Sequence, residues 1–339
     1  MPSSRRSFLK SAGLATAVVS AIPLALSTPV GAEVGFAAAG PSSRGFAAGK
    51  FALELDGKLV GVLAAYQGGN VVADVIEFTS GDALIPRKSL GELHYEEIVV
   101  MTGLGMDAVL WEWVGRMVSG DPARKNGAIV MADAEFNVIR RMEFNNALLT
   151  EIALPTLDAA SKEAAQMTIK FRPESTRLTP GTGKLAGAVA AKQKAWLSSN
   201  FRISIGDLPC GRVSKIEALA IKQKVTEYRE GGEGTIRLLP GRLEYPNLVL
   251  TFAATDGSQW QAFFDDFVLN GNNGNDNELG GTLDFMGADL KSVLARLQFL
   301  NLGIFRLAPA EIDPSSSNIQ RFQADLYSER NRLFVGGLN

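Results

Sequence analysis

The chain has 339 residues, which predicts about two domains of ordinary size. Its 34 basic and 36 acidic residues give a net charge of −2. The sequence therefore lacks the basic surplus of nucleic-acid-binding proteins, and we predict no nucleic acid partner. One histidine, His94, and one cysteine, Cys210, are too few for an internal disulfide or a Cys/His zinc site. We predict no cofactor.

The first residues carry an export motif. Residues 4–10 read SRRSFLK, which matches the twin-arginine signature. The residues of that signature that we assign to signal recognition are Arg5, Arg6, Phe8 and Leu9. The apolar stretch that follows, residues 12–26, is short for a membrane span and contains Pro23. The pattern therefore predicts a signal peptide rather than a membrane anchor.

We place the signal peptide at residues 1–32 and a flexible, Ala/Gly/Ser-rich leader at 33–50. Twin-arginine export carries proteins that have already folded. The sequence thus predicts a periplasmic or extracellular protein with no membrane contact after signal cleavage.

The remainder of the chain is a tandem repeat. At a shift of 150 residues, GELHY at 91–95 aligns with GRLEY at 241–245. Further along, the shift becomes 155, and Glu174 aligns with Glu329. The longer Asn/Gly loop at 270–277 accounts for the five additional residues. We predict a first domain at 51–178, a linker at 179–200 and a second domain at 201–335, since each repeat is long enough to fold as one domain.

Each repeat alternates apolar and polar residues in several short runs, which predicts β-strands. In each repeat the period then changes to that of one helix, at residues 106–118 and again at 260–268. The predicted fold is mainly β: two tandem small β-barrel domains, each with one covering helix. Trp113 and Trp260 lie on the apolar faces of the two helices and are predicted core residues. Trp111 lies off the apolar face of the first helix and is a candidate interface anchor.

The second repeat contains TEYREGG at 226–232, LPG at 239–241, a strand led by Tyr245, a helix with Trp260 and a late strand at 297–301. This order of motifs resembles the tail-tube protein family of contractile phages. That family is similar in fold to the inner-tube proteins of type VI secretion and other contractile injection systems. The first repeat has the same order of motifs with looser matches.

The resemblance implies a structural protein whose partner is itself. In the family, six domains close a ring and rings stack into a hollow tube, so three copies of a two-domain chain would form a pseudo-hexameric ring. The loop that contacts the adjacent ring would correspond to residues 79–90 and 229–240. The implied ring or tube interface residues, with Trp111, are Glu77, Gly81, Arg87, Glu227, Gly231 and Arg237.

Two other functions remain open from the residues alone: a monomeric exported binding module with two β domains, and an exported hydrolase that uses Asp265, Asp266 or Glu227. Adjacent helical residues point about 100° apart, so Asp265 and Asp266 do not form a convergent carboxylate pair, and we predict no enzyme activity. The loop at 270–277 lacks the acidic spacing of a calcium loop and is interpreted as a plain insertion. His94 aligns with Glu244 and is interpreted as a solvated strand residue.

Overall fold

The computed structural model describes residues 49–79, 81, 85–185, 196–231, 235–310 and 320–338. The predicted signal peptide and nearly all of the leader lie outside the described residues. So do most of residues 185–197 of the linker, whose Ala-rich sequence predicts a short helix. The described residues form one compact unit.

The first repeat contains eleven described strands and one helix. Its strands are β1 (Lys50–Leu55), β2 (Lys58–Leu63), β3 (Ala65–Gly68), β4 (Val71–Phe78), β5 (Arg87–Tyr95), β6 (Ile98–Thr102), β7 (Lys125–Ala132), β8 (Val138–Leu154), β9 (Leu157–Asp158), β10 (Met167–Arg172) and β11 (Ser175–Pro180). Helix α1 (Ala108–Val118) lies between β6 and β7.

The second repeat follows the same order of elements with fewer, longer strands. Its strands are β12 (Phe201–Ile205), β13 (Val213–Ile216), β14 (Leu219–Glu230), β15 (Thr235–Glu244), β16 (Leu248–Ala253), β17 (Leu279–Met286), β18 (Val293–Pro309) and β19 (Arg321–Leu338). Helix α2 (Gly257–Phe264) continues into a π-helical turn, Asp265–Leu269. The prediction of a mainly β fold with one helix in each repeat is confirmed for the described residues.

Both helices are fixed over the core by their tryptophans. Trp113 and Trp260 are fully buried, and their indole N–H groups donate to the carbonyl oxygens of Ala123 at 2.7 Å and Pro209 at 3.1 Å. Their predicted core positions are confirmed. Val268, predicted on the same apolar face, is 37% exposed. It lies in the π-helical turn, where the wider winding changes the direction of the side chains and ends the apolar face.

One long strand of each repeat bends at an asparagine. Asn146 in β8 and Asn301 in β18 have φ of +49° and +57°, a left-handed conformation that asparagine tolerates better than most residues. Each side-chain amide donates to a glutamate, Glu174 at 2.9 Å and Glu278 at 2.7 Å. The bend lets β8 pair with β7 and β11 up to Ala147 and with β10 and β14 from Leu148 onwards.

The sheets cross the boundary between the repeats. Strands β14 and β15 of the second repeat extend the ten-stranded sheet of the first, and β9 of the first repeat extends the seven-stranded sheet of the second. One large cluster of buried side chains also includes residues of both repeats. In contrast, β4 and β5 form a separate two-stranded sheet.

Candidate assembly surfaces

The β14–β15 hairpin is docked on the first repeat through backbone pairing. Strand β14 runs antiparallel to the end of β8, with Ile221 opposite Ile152 and Lys222 opposite Glu151. Ile221 is 3% exposed, and Leu238 of β15 is fully buried in a small cluster with Leu148 of β8. The contact between the repeats therefore combines a strand ladder with a desolvated apolar seam.

A buried glutamate organises the polar part of this contact. Glu174 is 7% exposed, and its carboxylate accepts hydrogen bonds from the backbone N–H of Leu238 at 3.0 Å and from Arg237 Nη1 at 3.3 Å. Arg124 lies 3.7 Å away and donates to the carbonyl oxygen of Leu238. Because burial strips water from the carboxylate, this set of donors is required to compensate it.

Glu227 forms a second polar group between the repeats. Its carboxylate lies 2.5 Å from Arg172, 3.4 Å from Arg229 and 3.7 Å from His94 Nδ1. His94 Nε2 lies 3.0 Å from Asp74. His94 is thus a strand residue, as predicted, and it also links the two hairpins.

Helix α1 is covered by the second repeat as well as by its own. It packs against β2, β8 and the end of β19. The Tyr245 hydroxyl donates to the carbonyl oxygen of Val118 at 2.8 Å, and burial raises the pKa of this phenol above its ordinary value. Leu333 of β19 packs against the shared core.

The β4–β5 hairpin carries a group of exposed apolar side chains. Its apolar side chains that are at least 45% exposed, including Ile85 in the segment between the two strands, are Val71, Val72, Val75, Ile76, Phe78, Ile85, Leu90 and Leu93. Glu77 pairs with Lys88 across the two strands at 2.6 Å. Arg87 is exposed at the start of β5, and Gly81 has φ of +55° near the tip. An exposed group of apolar side chains of this kind is a candidate interaction surface.

The second surface is an open strand edge of β18. The part of β18 after Leu302 corresponds to the part of β8 that binds the β14–β15 hairpin, but among the described strands it pairs only with β19. Phe305, at the position of Thr150, is 45% exposed. Leu269, beyond α2, is 68% exposed, and its counterpart is Ser119 at the end of α1.

The structure separates the predicted interface residues into two groups. Glu227 and Arg237 contact the first repeat, and Gly231 is exposed near the tip of their hairpin. Glu77, Gly81 and Arg87 lie on the exposed hairpin. Glu174 is an interface residue that we did not predict, although the sequence repeats it as Glu329 and repeats Arg237 as Arg87.

Trp111 requires a correction. The prediction that it lies off the buried face of α1 is wrong: Trp111 is 6% exposed, and its indole N–H donates to the carbonyl oxygen of Met106 at 3.2 Å. The apolar residues at helical spacing identified only part of the buried surface of α1, because this helix contacts strands of both repeats. We therefore omit Trp111 from the proposed interface.

The candidate catalytic and metal sites are locally satisfied. Asp265 accepts a hydrogen bond from Gln261 at 2.8 Å, and Asp266 accepts one from Asn272 at 2.6 Å, so the two carboxylates have different partners. Among the described residues, no three Asp, Glu, His or Cys side chains are grouped so that they could hold a metal ion. Within the same ranges, no helix combines the length and apolarity needed to cross a bilayer.

The comparison with protein families identifies the class of protein to which this repeated fold belongs. The model of the T4-like virus tail tube protein gp19 family matches residues 47–177 and again residues 197–330. The two matches cover more than half of the chain, which therefore belongs to this family as a tandem repeat. No curated protein matches the chain.

Three solved structures show what the chain is similar to. The tube-terminating cap of the anti-feeding prophage is 21% identical, with a TM-score of 0.33, over 40% of this chain and 89% of that chain. The sheath–tube complex of the extracellular contractile injection system PVC gives 20% identity and a TM-score of 0.34, over 40% and 88%. Hcp1 from Flavobacterium johnsoniae gives 18% identity and a TM-score of 0.25, over 40% and 98%.

Proposed function

We propose that this protein is a structural subunit that associates with further copies of itself to form rings, which stack into a tube. Membership of the tail-tube family supports the structural role. The observation that carries the proposal is the docking of the β14–β15 hairpin on β8, beside an equivalent β4–β5 hairpin that remains exposed. A contact already made between repeats inside the chain is thus available once more between chains.

The polarity of this contact determines the kind of assembly. The first repeat offers a strand edge to the hairpin of the second, so a contact of the same kind between chains is head-to-tail. Head-to-tail contacts form a closed ring when the rotation per subunit divides a full turn. Three chains then give six quasi-equivalent contacts, three within chains and three between them, in a pseudo-hexameric ring.

Light scattering and negative-stain electron microscopy of the purified full chain test this function. We expect particles of three times 36.2 kDa, or multiples of that mass, with a ring or tube outline. A monomer at every concentration up to the solubility limit would refute self-assembly as a property of the chain.

We also propose that the chain is exported by the twin-arginine pathway to the periplasm or the extracellular space. The support is the SRRSFLK motif at residues 4–10. Replacement of both Arg5 and Arg6 by Lys retains the charge and removes the paired guanidinium groups. We expect the double variant to remain in the cytoplasmic fraction, and equal export of both forms would contradict the assignment.

A further inference from the structure

We propose that the β4–β5 hairpin of one copy docks on the open β18 edge of the next copy, with Val71 opposite Leu307 and with Arg87 paired to Glu329. This inference rests on the proposed self-assembly and defines the residues that carry it. The partner is a second copy of this chain, because the chain itself shows how such a hairpin is bound.

The strand register follows from the repeat. Inside the chain, Ile221 of β14 lies opposite Ile152 of β8. A shift of 150 residues places Val71 at the position of Ile221, and a shift of 155 places Leu307 at that of Ile152. Val71 is 52% exposed, and this part of β18 has an edge with no partner among the described strands. Antiparallel pairing would complete both elements and cover an otherwise open edge.

The ion pair follows from the same two shifts. Arg237 and Glu174, which are 3.3 Å apart between the repeats, correspond to Arg87 and Glu329. Arg87 and Glu329 are both exposed, and neither has an ion-pair partner among the described residues. An ion pair between two chains would therefore give Arg87 and Glu329 the partners that their counterparts already have within one chain.

Glu329 also has space beside it. It lines an open cleft of about 410 Å³ with Ser119, Tyr245, Arg330, Asn331 and Arg332. It is the sole carboxylate among these lining residues, so an incoming arginine would pair with Glu329. Glu174, in contrast, is already covered by Arg237.

The proposed contact would also bring together exposed apolar side chains of β11 and of the segment after α2. In the chain, Leu333 of β19 packs against the core that includes α1. Its counterpart, Leu178 of β11, is 52% exposed, and Leu269 beyond α2 is 68% exposed. A contact equivalent to that between the repeats brings β11 of one copy to the α2 end of the next and buries both side chains.

Charge reversal tests the ion pair. We expect Glu329→Arg to weaken self-association at least tenfold in sedimentation equilibrium, because Arg87 would lose its carboxylate partner and face a new positive charge beside Arg330 and Arg332. Addition of Arg87→Glu should restore the dissociation constant to within about threefold of the original. Arg87→Glu alone should weaken association less than Glu329→Arg does, because Arg330 and Arg332 remain beside the reversed charge.

Matched variants separate assembly from folding. Glu112→Arg changes an exposed charge on α1 and should leave association unchanged. Glu329→Arg should retain the unfolding temperature of the protomer, whereas Glu174→Arg should lower it, since Glu174 is buried in the contact within the chain. If the original chain associates but Glu329→Arg does not weaken it, this inference is wrong and the proposed function stands. If the original chain never associates, the proposed function fails first.

Cross-linking tests the register independently of stability. In a Cys210→Ser background, Val71→Cys with Leu307→Cys should give disulfide-linked chains, because directly opposed residues bring their Cβ atoms within bonding range. Val71→Cys with Arg306→Cys moves one thiol to the opposite face of the strand and should not cross-link. Equal yields from the two pairs, or none from the first in a chain that associates, would overturn the register.

Discussion

At the scale of single residues, both repeats have an arginine at an equivalent strand position, but its carboxylate partner comes from a different position in each repeat. Arg141 in β8 pairs with Glu54 at 2.9 Å, whereas its counterpart Arg296 in β18 pairs with Asp284 at 2.5 Å. Asp284 is 2% exposed, and it also binds Arg202 at 2.7 Å. The three side chains lie on adjacent strands, with Asp284 opposite both arginines.

Burial alone would raise the pKa of Asp284, but the hydrogen bonds and charges of Arg296 and Arg202 outweigh it and hold the pKa below the ordinary value. We therefore expect Asp284→Asn to lower the free energy of unfolding by about 2 to 4 kcal/mol, measured by denaturant titration at neutral pH.

The pH dependence has a definite sign. Because the folded-state pKa of Asp284 is lowered, its stabilisation is present above the unfolded-state pKa of about 4 and is lost as the pH falls through the folded-state value. The stability difference between the original chain and Asp284→Asn should thus shrink at acid pH. A difference that stays constant down to about pH 2 would contradict this role.

The bend at Asn301 predicts a contrast between two substitutions. Asn301→Gly loses the hydrogen bond to Glu278 but adopts φ of +57° without strain, whereas Asn301→Val loses the bond and is strained. We expect Asn301→Val to be less stable than Asn301→Gly by about 1 to 3 kcal/mol in urea unfolding. Equal stabilities would show that the bend relaxes when the side chain changes.

At the scale of elements, the two hairpins are a natural matched pair. Ile221 and Val71 occupy equivalent positions, but Ile221 is 3% exposed and Val71 is 52% exposed. Ile221→Asp should lower the free energy of unfolding by about 3 kcal/mol or more, because it buries an unpaired charge between the repeats. Val71→Asp should change it by less than about 1 kcal/mol.

We expect Val71→Asp to have its main effect on self-association, in contrast to Ile221→Asp, whose main effect is on the free energy of unfolding. Val71→Asp places a charge on the surface that we propose for contact with the next copy, so it should weaken association while the protomer remains folded. Circular dichroism melting and sedimentation on the same samples separate the two effects. A Val71→Asp chain that assembles normally would count against the β4–β5 hairpin as a contact element.

At the scale of the whole molecule, the repeats share one core and exchange strands. Neither sheet is completed by one repeat alone, so we expect differential scanning calorimetry to give a single cooperative transition for the folded unit. Two separated transitions would mean that the repeats unfold as independent domains. The transition temperature should rise with protein concentration if the chain assembles as proposed.

The sequence by itself determined the repeat, the mainly β fold and the family. Residue spacing is sufficient for these because strands and helices leave different periods, and a duplication preserves them. It also located the core tryptophans Trp113 and Trp260, since each lies on the apolar face of its own helix.

Only the tertiary structure decided which surfaces are buried. Periodicity within a segment carries no information about distant elements, so it missed the burial of Trp111, whose helix packs against strands of both repeats. It could not distinguish the docked β14–β15 hairpin from the exposed β4–β5 hairpin, because their local patterns are similar. What separates them is the neighbouring strand edge: the first repeat provides one within the chain for β14, and β4 has none among the described strands.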